Sequence, residues 1–220
     1  MDLYEVYQNK IADCDLKIET HMRKFESKID PRHQPLPAPK RGKRPHSHAP
    51  RFDLRTELYR ISGTDLTRID GIDVSTAQTI ISEIGLDMNR WPTEKQFSSW
   101  LGLSPDHRIT GGKVVKRGTQ HVVNRASNSL RMSAVSLRQS QSALGANYRR
   151  LQSRLGAPKA ITAMAHKLAR LVYRMLKYGQ RYVDKGLKHY EERFQRQRKL
   201  WLEKQAKELN FQLVPVPATK

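Results

Sequence analysis

The sequence predicts a mainly α-helical protein: a coiled-coil helix, a helix-hairpin-helix core and long C-terminal helices, with one short β-ribbon. Three observations carry this. Apolar residues recur at steps of three and four along much of the 220-residue chain, the spacing of a helix face. Asp, Thr and Gly stand where such helices would start and stop. Outside Lys113–Lys116, no stretch alternates apolar and polar residues long enough to make a strand.

Residues 1–30 form the first unit. Tyr4, Tyr7, Ile11, Cys14, Ile18, His21 and Phe25 predict a helix over 1–29 with a coiled-coil seam. A helix packed on its own domain would show the same stripe. Residues 31–50 hold six of the eleven prolines and form a basic linker. Its Lys40, Arg41, Lys43 and Arg44 could follow a phosphate backbone or simply solvate a spacer. His46 and His48 have no neighbouring carboxylate or cysteine that would complete a metal site.

Residues 51–156 form the core unit. Asp53 caps a helix bearing Leu54, Leu58 and Ile61, which Gly63 ends. Thr64 caps the short "DLTRI", the turn "DGID" follows, and "STAQTIISEI" runs to Gly85. Thr93 caps "EKQFSSWL" before Gly102, and residues 121–145 are helical. In the last unit, 157–220, Pro158 opens a helix. Its stripe of Ile161, Met164, Leu168, Leu171, Met175, Tyr178 and Tyr182 is core or oligomer seam. A final helix over about 186–208 carries Leu187, Tyr190, Phe194 and Trp201, and "LVPVPATK" cannot extend it.

Charge points to the partner. Lys and Arg number 41 against 21 Asp and Glu, a net charge of +20. Such a chain attracts polyanions, nucleic acid before a membrane surface. Cys14 is the only cysteine, so no intrachain disulfide forms and a reducing compartment fits. The N-terminus lacks an apolar signal core and no 18-residue apolar run occurs, so no membrane partner is expected.

The charge is unevenly placed. Residues 107–183 contain no Asp or Glu, yet sixteen Lys and Arg. A solvated surface normally mixes both signs. Two-metal phosphoryl chemistry needs clustered carboxylates, which this stretch does not have. Phosphodiester chemistry here would need a side-chain nucleophile, with Arg and Lys holding the developing charge.

Two turns are candidate sites. In "LTRIDGIDVSTAQTIISEIG" the layout is that of a helix-hairpin-helix. Gly71 permits the sharp turn, and the amides from Gly71 and Ile72 into the next helix could hold a phosphate. Asp70 and Asp73 flank the turn and oppose this, and an ordinary αα-hairpin has the same layout. In "PDHRITGGKVVKRG" Thr110 offers a hydroxyl beside Gly111 and Gly112, where backbone could approach a phosphate. Lys113, Lys116, Arg117, Arg125 and Arg131 are the candidate phosphate contacts. As plain hairpin residues, Thr-Gly-Gly are also common. Ser104, Ser127, Ser129 and Ser133 read as caps or helix-face residues, and His107, His121 and His166 as structural.

The blocks "IDGIDVSTAQTIISEIG", "WPTEKQFSSWLGLSPDHRITGGK", "NRASNSLRMSA", "LGAPKAITAMAHKLARLVYRMLKYG" and "LNFQLVPVP" occur in this order. Together they resemble the C-terminal part of the insertion-sequence transposases that carry an N-terminal RuvC-like DEDD domain, the bridge recombinases. The likeness runs from the first helix to the C-terminus. It implies a recombinase that acts in DNA transposition as an oligomer, with a guide (bridge) RNA pairing to donor and target DNA. It also implies a serine nucleophile just before the paired glycines, a position held here by Thr110. A bacterial, cytoplasmic, nucleoid-associated location follows from the same likeness. Nothing in the sequence matches the DEDD half, so a truncated copy, a separated reading frame or a cut fragment is expected. No cofactor is then expected within this chain, Mg²⁺ belonging to the DEDD domain. The alternative is a non-catalytic DNA-binding fragment of a transposase, and a third reading is an RNA-binding scaffold.

Overall fold

The structure, a computed structural model, describes residues 2–38, 50–106, 108–116, 118–179, 186–212 and 214. It is mainly α-helical, with one small antiparallel pair of strands. In chain order the helices are α1 (Asp2–Arg23), α2 (Leu54–Ser62), α3 (Val74–Ile84), α4 (Glu94–Trp100), α5 (Arg125–Ser136), α6 (Ala143–Leu155), α7 (Ala157–Tyr178) and α8 (Gly186–Glu208). The strands β1 (Arg108–Thr110) and β2 (Lys113–Lys116) lie between α4 and α5. Lys40, Arg41, Lys43, Arg44, His46 and His48 of the predicted linker lie outside the described residues.

Local chemistry sets most boundaries. Asp53 caps α2 by accepting the Thr56 N–H, and Gly63 closes it in the left-handed conformation. Thr93 and Gln96 form a reciprocal capping box on α4. Three boundaries differ from the sequence expectation. α1 ends at Arg23 rather than near 29, because the Arg60 guanidinium from α2 takes the carbonyls of Met22 and Phe25 at 2.8 and 2.9 Å. The stretch after Gly63 is only a 3₁₀ turn, Leu66–Arg68, capped by Asp65 rather than Thr64. Asp65 also takes Arg55 at 2.5 Å, which fixes its carboxylate in place. Residues 121–145 split: Asn124 starts α5 by accepting the Ser127 N–H, and Ser142 starts α6 by accepting that of Gly145.

α7 is the centre of the packing. It lies against α4, α5 and α6, and one buried cluster runs from Met22 to Met175. Ala160, Ala165 and Ala169 on α7 and Ala126 and Ala134 on α5 are fully buried, and small side chains let helix axes approach closely. Met164, Leu168 and Met175 of the predicted stripe are core, Ile161 and Leu171 pack against it, and Tyr178 is exposed. Tyr182 lies outside the described residues. α8 docks on α6, where the Arg150 guanidinium sits 3.2 Å from the centre of the Phe194 ring.

The predicted seam of α1 faces away from this core: Tyr4, Tyr7, Ile11 and Ile18 are exposed. Contact with the body comes instead through buried Met22 and through Asp15, which accepts the Arg51 N–H.

Gly71 has φ +87°, and a Cβ there would stand 2.6 Å from the Ser133 carbonyl of α5. Gly71→Ala therefore combines left-handed strain with a backbone clash. It is expected to lower stability by about 2–4 kcal/mol, read as a drop in the urea midpoint at unchanged slope.

Candidate nucleic-acid interface

Thr110 closes β1 and Lys113 opens β2, and the two residues pair directly across a two-residue turn. Gly111 and Gly112 both have positive φ, 55° and 76°, the requirement of a type I′ turn. The turn twists with the strands, so the hairpin closes without splaying. Its base is held by the Pro105–Thr119 bridge and by the Asp106 N–H to the Gly118 carbonyl at 2.7 Å. Alternation along the strands puts Thr110 and Lys113 on one face and Ile109 and Val114 on the other. Arg108 pairs with Lys116, and the register slips by one residue between Arg108 and Ile109, leaving Val115 as the bulged residue. The Arg108 and Lys116 side chains, and His107 and Arg117 entirely, lie outside the described residues.

Thr110, Gly111, Gly112 and Lys113 are therefore brought together at an exposed tip. Residues 119–124 lead from the hairpin into α5. Arg125 is exposed at the first turn of α5, and Arg131 donates from Nη1 to the Ser127 hydroxyl at 2.8 Å. The first turns of α5, α6 and α7 carry no acid of their own to offset their positive ends. Lys113, Arg125, Arg138, Arg154 and Lys159 are exposed, and among the described residues no carboxylate pairs with them.

Gly71 and Ile72 are placed elsewhere. Their turn packs on the last turn of α5, while Arg125 stands at the first, roughly a dozen ångström of helix away. Ile72 is fully buried, and the Asp73 carboxylate caps α3 by accepting the Thr76 N–H at 2.7 Å. Ser127 and Ser133 are buried helix residues, and His121 is exposed. His166 lies half-buried on α7, and burial holds its imidazole below the ordinary histidine range, hence neutral near pH 7. Among the described residues, no three His, Cys, Asp or Glu side chains gather as a metal site.

Sequence reasoning missed the contact that neutralises part of the acid-free stretch. Glu94, on the first turn of α4, receives Arg174 Nε at 2.7 Å and both Arg170 Nε (2.9 Å) and Nη2. Beside it, the Tyr173 hydroxyl and Lys177 Nζ both donate to the Trp91 carbonyl, at 2.8 and 2.9 Å. The partners lie 76 to 86 residues apart, so spacing carried no sign of them.

The two guanidiniums, Arg174 foremost, hold the Glu94 carboxyl down to about 2, against a partial opposing effect of burial. A folded-state value below the unfolded one stabilises the protein at higher pH. The stabilisation is complete above about 4.5 and is lost as pH falls toward 2. Because both arginines are almost half exposed, solvent screening limits the effect to about 1–2 kcal/mol. Glu94→Gln is expected to remove that part of the acid sensitivity, seen by comparing urea midpoints of the two proteins across this window.

Residues 63–150 match the model of a known family, described as the transposase IS116/IS110/IS902 family. The matched segment includes the hairpin and all of α5, and it supports a role in transposition or recombination, with DNA as the partner this suggests. Comparison with curated proteins found no match. Among the described residues, no helix is long and apolar enough to cross a membrane.

Proposed function

We propose that this chain is the DNA-binding recombinase part of an insertion-sequence transposase, with the Thr110 hydroxyl as the attacking group. One observation carries the reading. The segment that resembles the transposase family contains an exposed hairpin whose tip sets a single hydroxyl opposite a lysine, in a stretch with no carboxylates.

The chemistry follows from those groups. The Thr110 oxygen forms a bond to a backbone phosphorus, and the bond from that phosphorus to a deoxyribose oxygen breaks. The hydroxyl proton is released as the leaving oxygen takes one up. The phosphodiester energy is kept in the protein–DNA ester, so a second strand can reverse the step by its own attack. Lys113, Arg125 and Arg131 supply positive charge for the crowded phosphorane. Gly111 and Gly112 allow close backbone approach. Gly71 and Ile72 serve by fixing α3 against α5. Mg²⁺ is assigned to a DEDD domain on the family resemblance alone, and no step here passes through it. A guide RNA and a second copy of the chain complete the proposed assembly, the exposed α1 seam being available to that copy.

The second reading is a DNA-binding fragment without catalysis. It is favoured by the branched threonine side chain, whose methyl group crowds attack on phosphorus and stiffens χ1. The experiment that separates the two traps the adduct. The protein is incubated with element-end DNA, with and without a DEDD partner and guide RNA, then digested. A DNA-linked peptide containing Thr110 supports the recombinase. DNA binding with no adduct under any of these conditions leaves only the fragment.

A further inference from the structure

The hairpin has a second face that the proposed chemistry does not use. Ile109 and Val114 pair on it, and they are 65% and 42% exposed, with bulged Val115 at 69%. Val123, just ahead of α5, is 88% exposed. A ribbon that only displayed Thr110 and Lys113 would carry polar residues at these solvent-facing positions. Cations surround the apolar residues in sequence: Arg108, Lys113, Lys116 and Arg117.

We propose that this hairpin enters the major groove of double-stranded DNA, with Ile109, Val114 and Val115 packed on base edges, thymine methyls foremost. The inference rests on the DNA-binding reading above and adds the groove, the element and the contacts. Dimensions favour it. A two-stranded ribbon is about 10 Å across with its side chains; the major groove, about 12 Å wide, admits one, while the minor groove, about 6 Å wide, would have to be widened first. The tip is narrow, since both turn residues are glycines and a Cβ on either would meet nothing within 4 Å. Turning the Ile109 and Val114 face to the bases points Thr110 and Lys113 out of the groove, toward its mouth.

Charge argues against the other occupant. A second copy of this chain carries the same net +20, and its own acid-free stretch would face this one across any shared hairpin contact. Phosphates on both walls of a groove instead complement the cations that flank the apolar residues in the sequence.

The test uses the full chain and two A·T-rich duplexes of one sequence, containing thymine or uracil. The two differ only by the C5-methyl group, which lies in the major groove. The unaltered protein is expected to bind the uracil duplex roughly threefold or more weakly. Ile109→Ser with Val115→Ser is expected to weaken binding to the thymine duplex roughly tenfold and to abolish the preference, at an unchanged salt slope. Both positions are exposed, so an unchanged thermal melting curve should accompany the loss. Unchanged affinity and preference in the variant would overturn groove entry while DNA binding stood. A change in sedimentation without a change in DNA affinity would assign the face to a second copy. Failure of the unaltered chain to bind either duplex would overturn the groove and the DNA-binding reading together.

Discussion

Thr110→Ala is expected to abolish the covalent DNA adduct and to lower strand transfer by at least roughly a thousandfold, with duplex affinity held within about twofold. The asymmetry is the point. The hydroxyl stands at an exposed hairpin tip, outside the packed body, so its loss touches neither the core nor the paired strands. On the proposed reading, affinity comes from many phosphate contacts spread over the cationic surface, and one neutral side chain contributes little to it. A proposed nucleophile, in contrast, has no substitute. Thr110→Ser keeps the oxygen and removes the methyl, which frees χ1 for in-line attack, and it is expected to raise the adduct rate by about tenfold. Denaturing gel mobility of end-labelled DNA measures the adduct, and a filter-binding titration measures affinity. Equal adduct from Thr110→Ala and the unaltered protein would remove Thr110 from the chemistry.

The largest expected effect on stability lies at Phe97. Its side chain is fully buried between α4 and α7, edge-on to Trp91 at 5.1 Å between ring centres and beside Tyr173 at 5.6 Å. The same patch holds the Tyr173 hydroxyl on the Trp91 carbonyl and the Glu94 arginine pairs. Phe97→Ala would leave a cavity lined by rigid rings that cannot collapse into it. A loss of about 3–5 kcal/mol follows, measured as a shift in urea midpoint. Phe97→Leu, which keeps most of the volume, should cost markedly less. If the two variants were equally stable, the ring cluster would not be what joins α4 to α7.

Much of the architecture is legible from residues close together in sequence. Asp53, Thr93, Gly63 and Gly85 mark helix ends correctly, because a cap is a bond between neighbours a few positions apart. The ribbon at Lys113–Lys116 and the last helix at Gly186–Glu208 are legible for the same reason. The end of α1 is not, since a guanidinium from α2 determines it. Nor is the start of the second short element, where Asp65 outcompetes Thr64 once Arg55 has fixed its carboxylate.

For the candidate site, Thr110, the paired glycines and Lys113 are found together, as their spacing requires. The Gly71 turn is a different matter. Sequence shows a glycine turn before a helix and cannot say which side the turn presents. In the folded chain it lies on the Ser133 carbonyl of α5. Charge and local spacing belong to the sequence alone: they determine that the protein is helical and strongly basic, with an acid-free stretch over 107–183. Tertiary structure alone decides which cations remain free. Glu94 reaches Arg170 and Arg174 across more than seventy positions, and only folding brings opposite charges that distant within hydrogen-bond range.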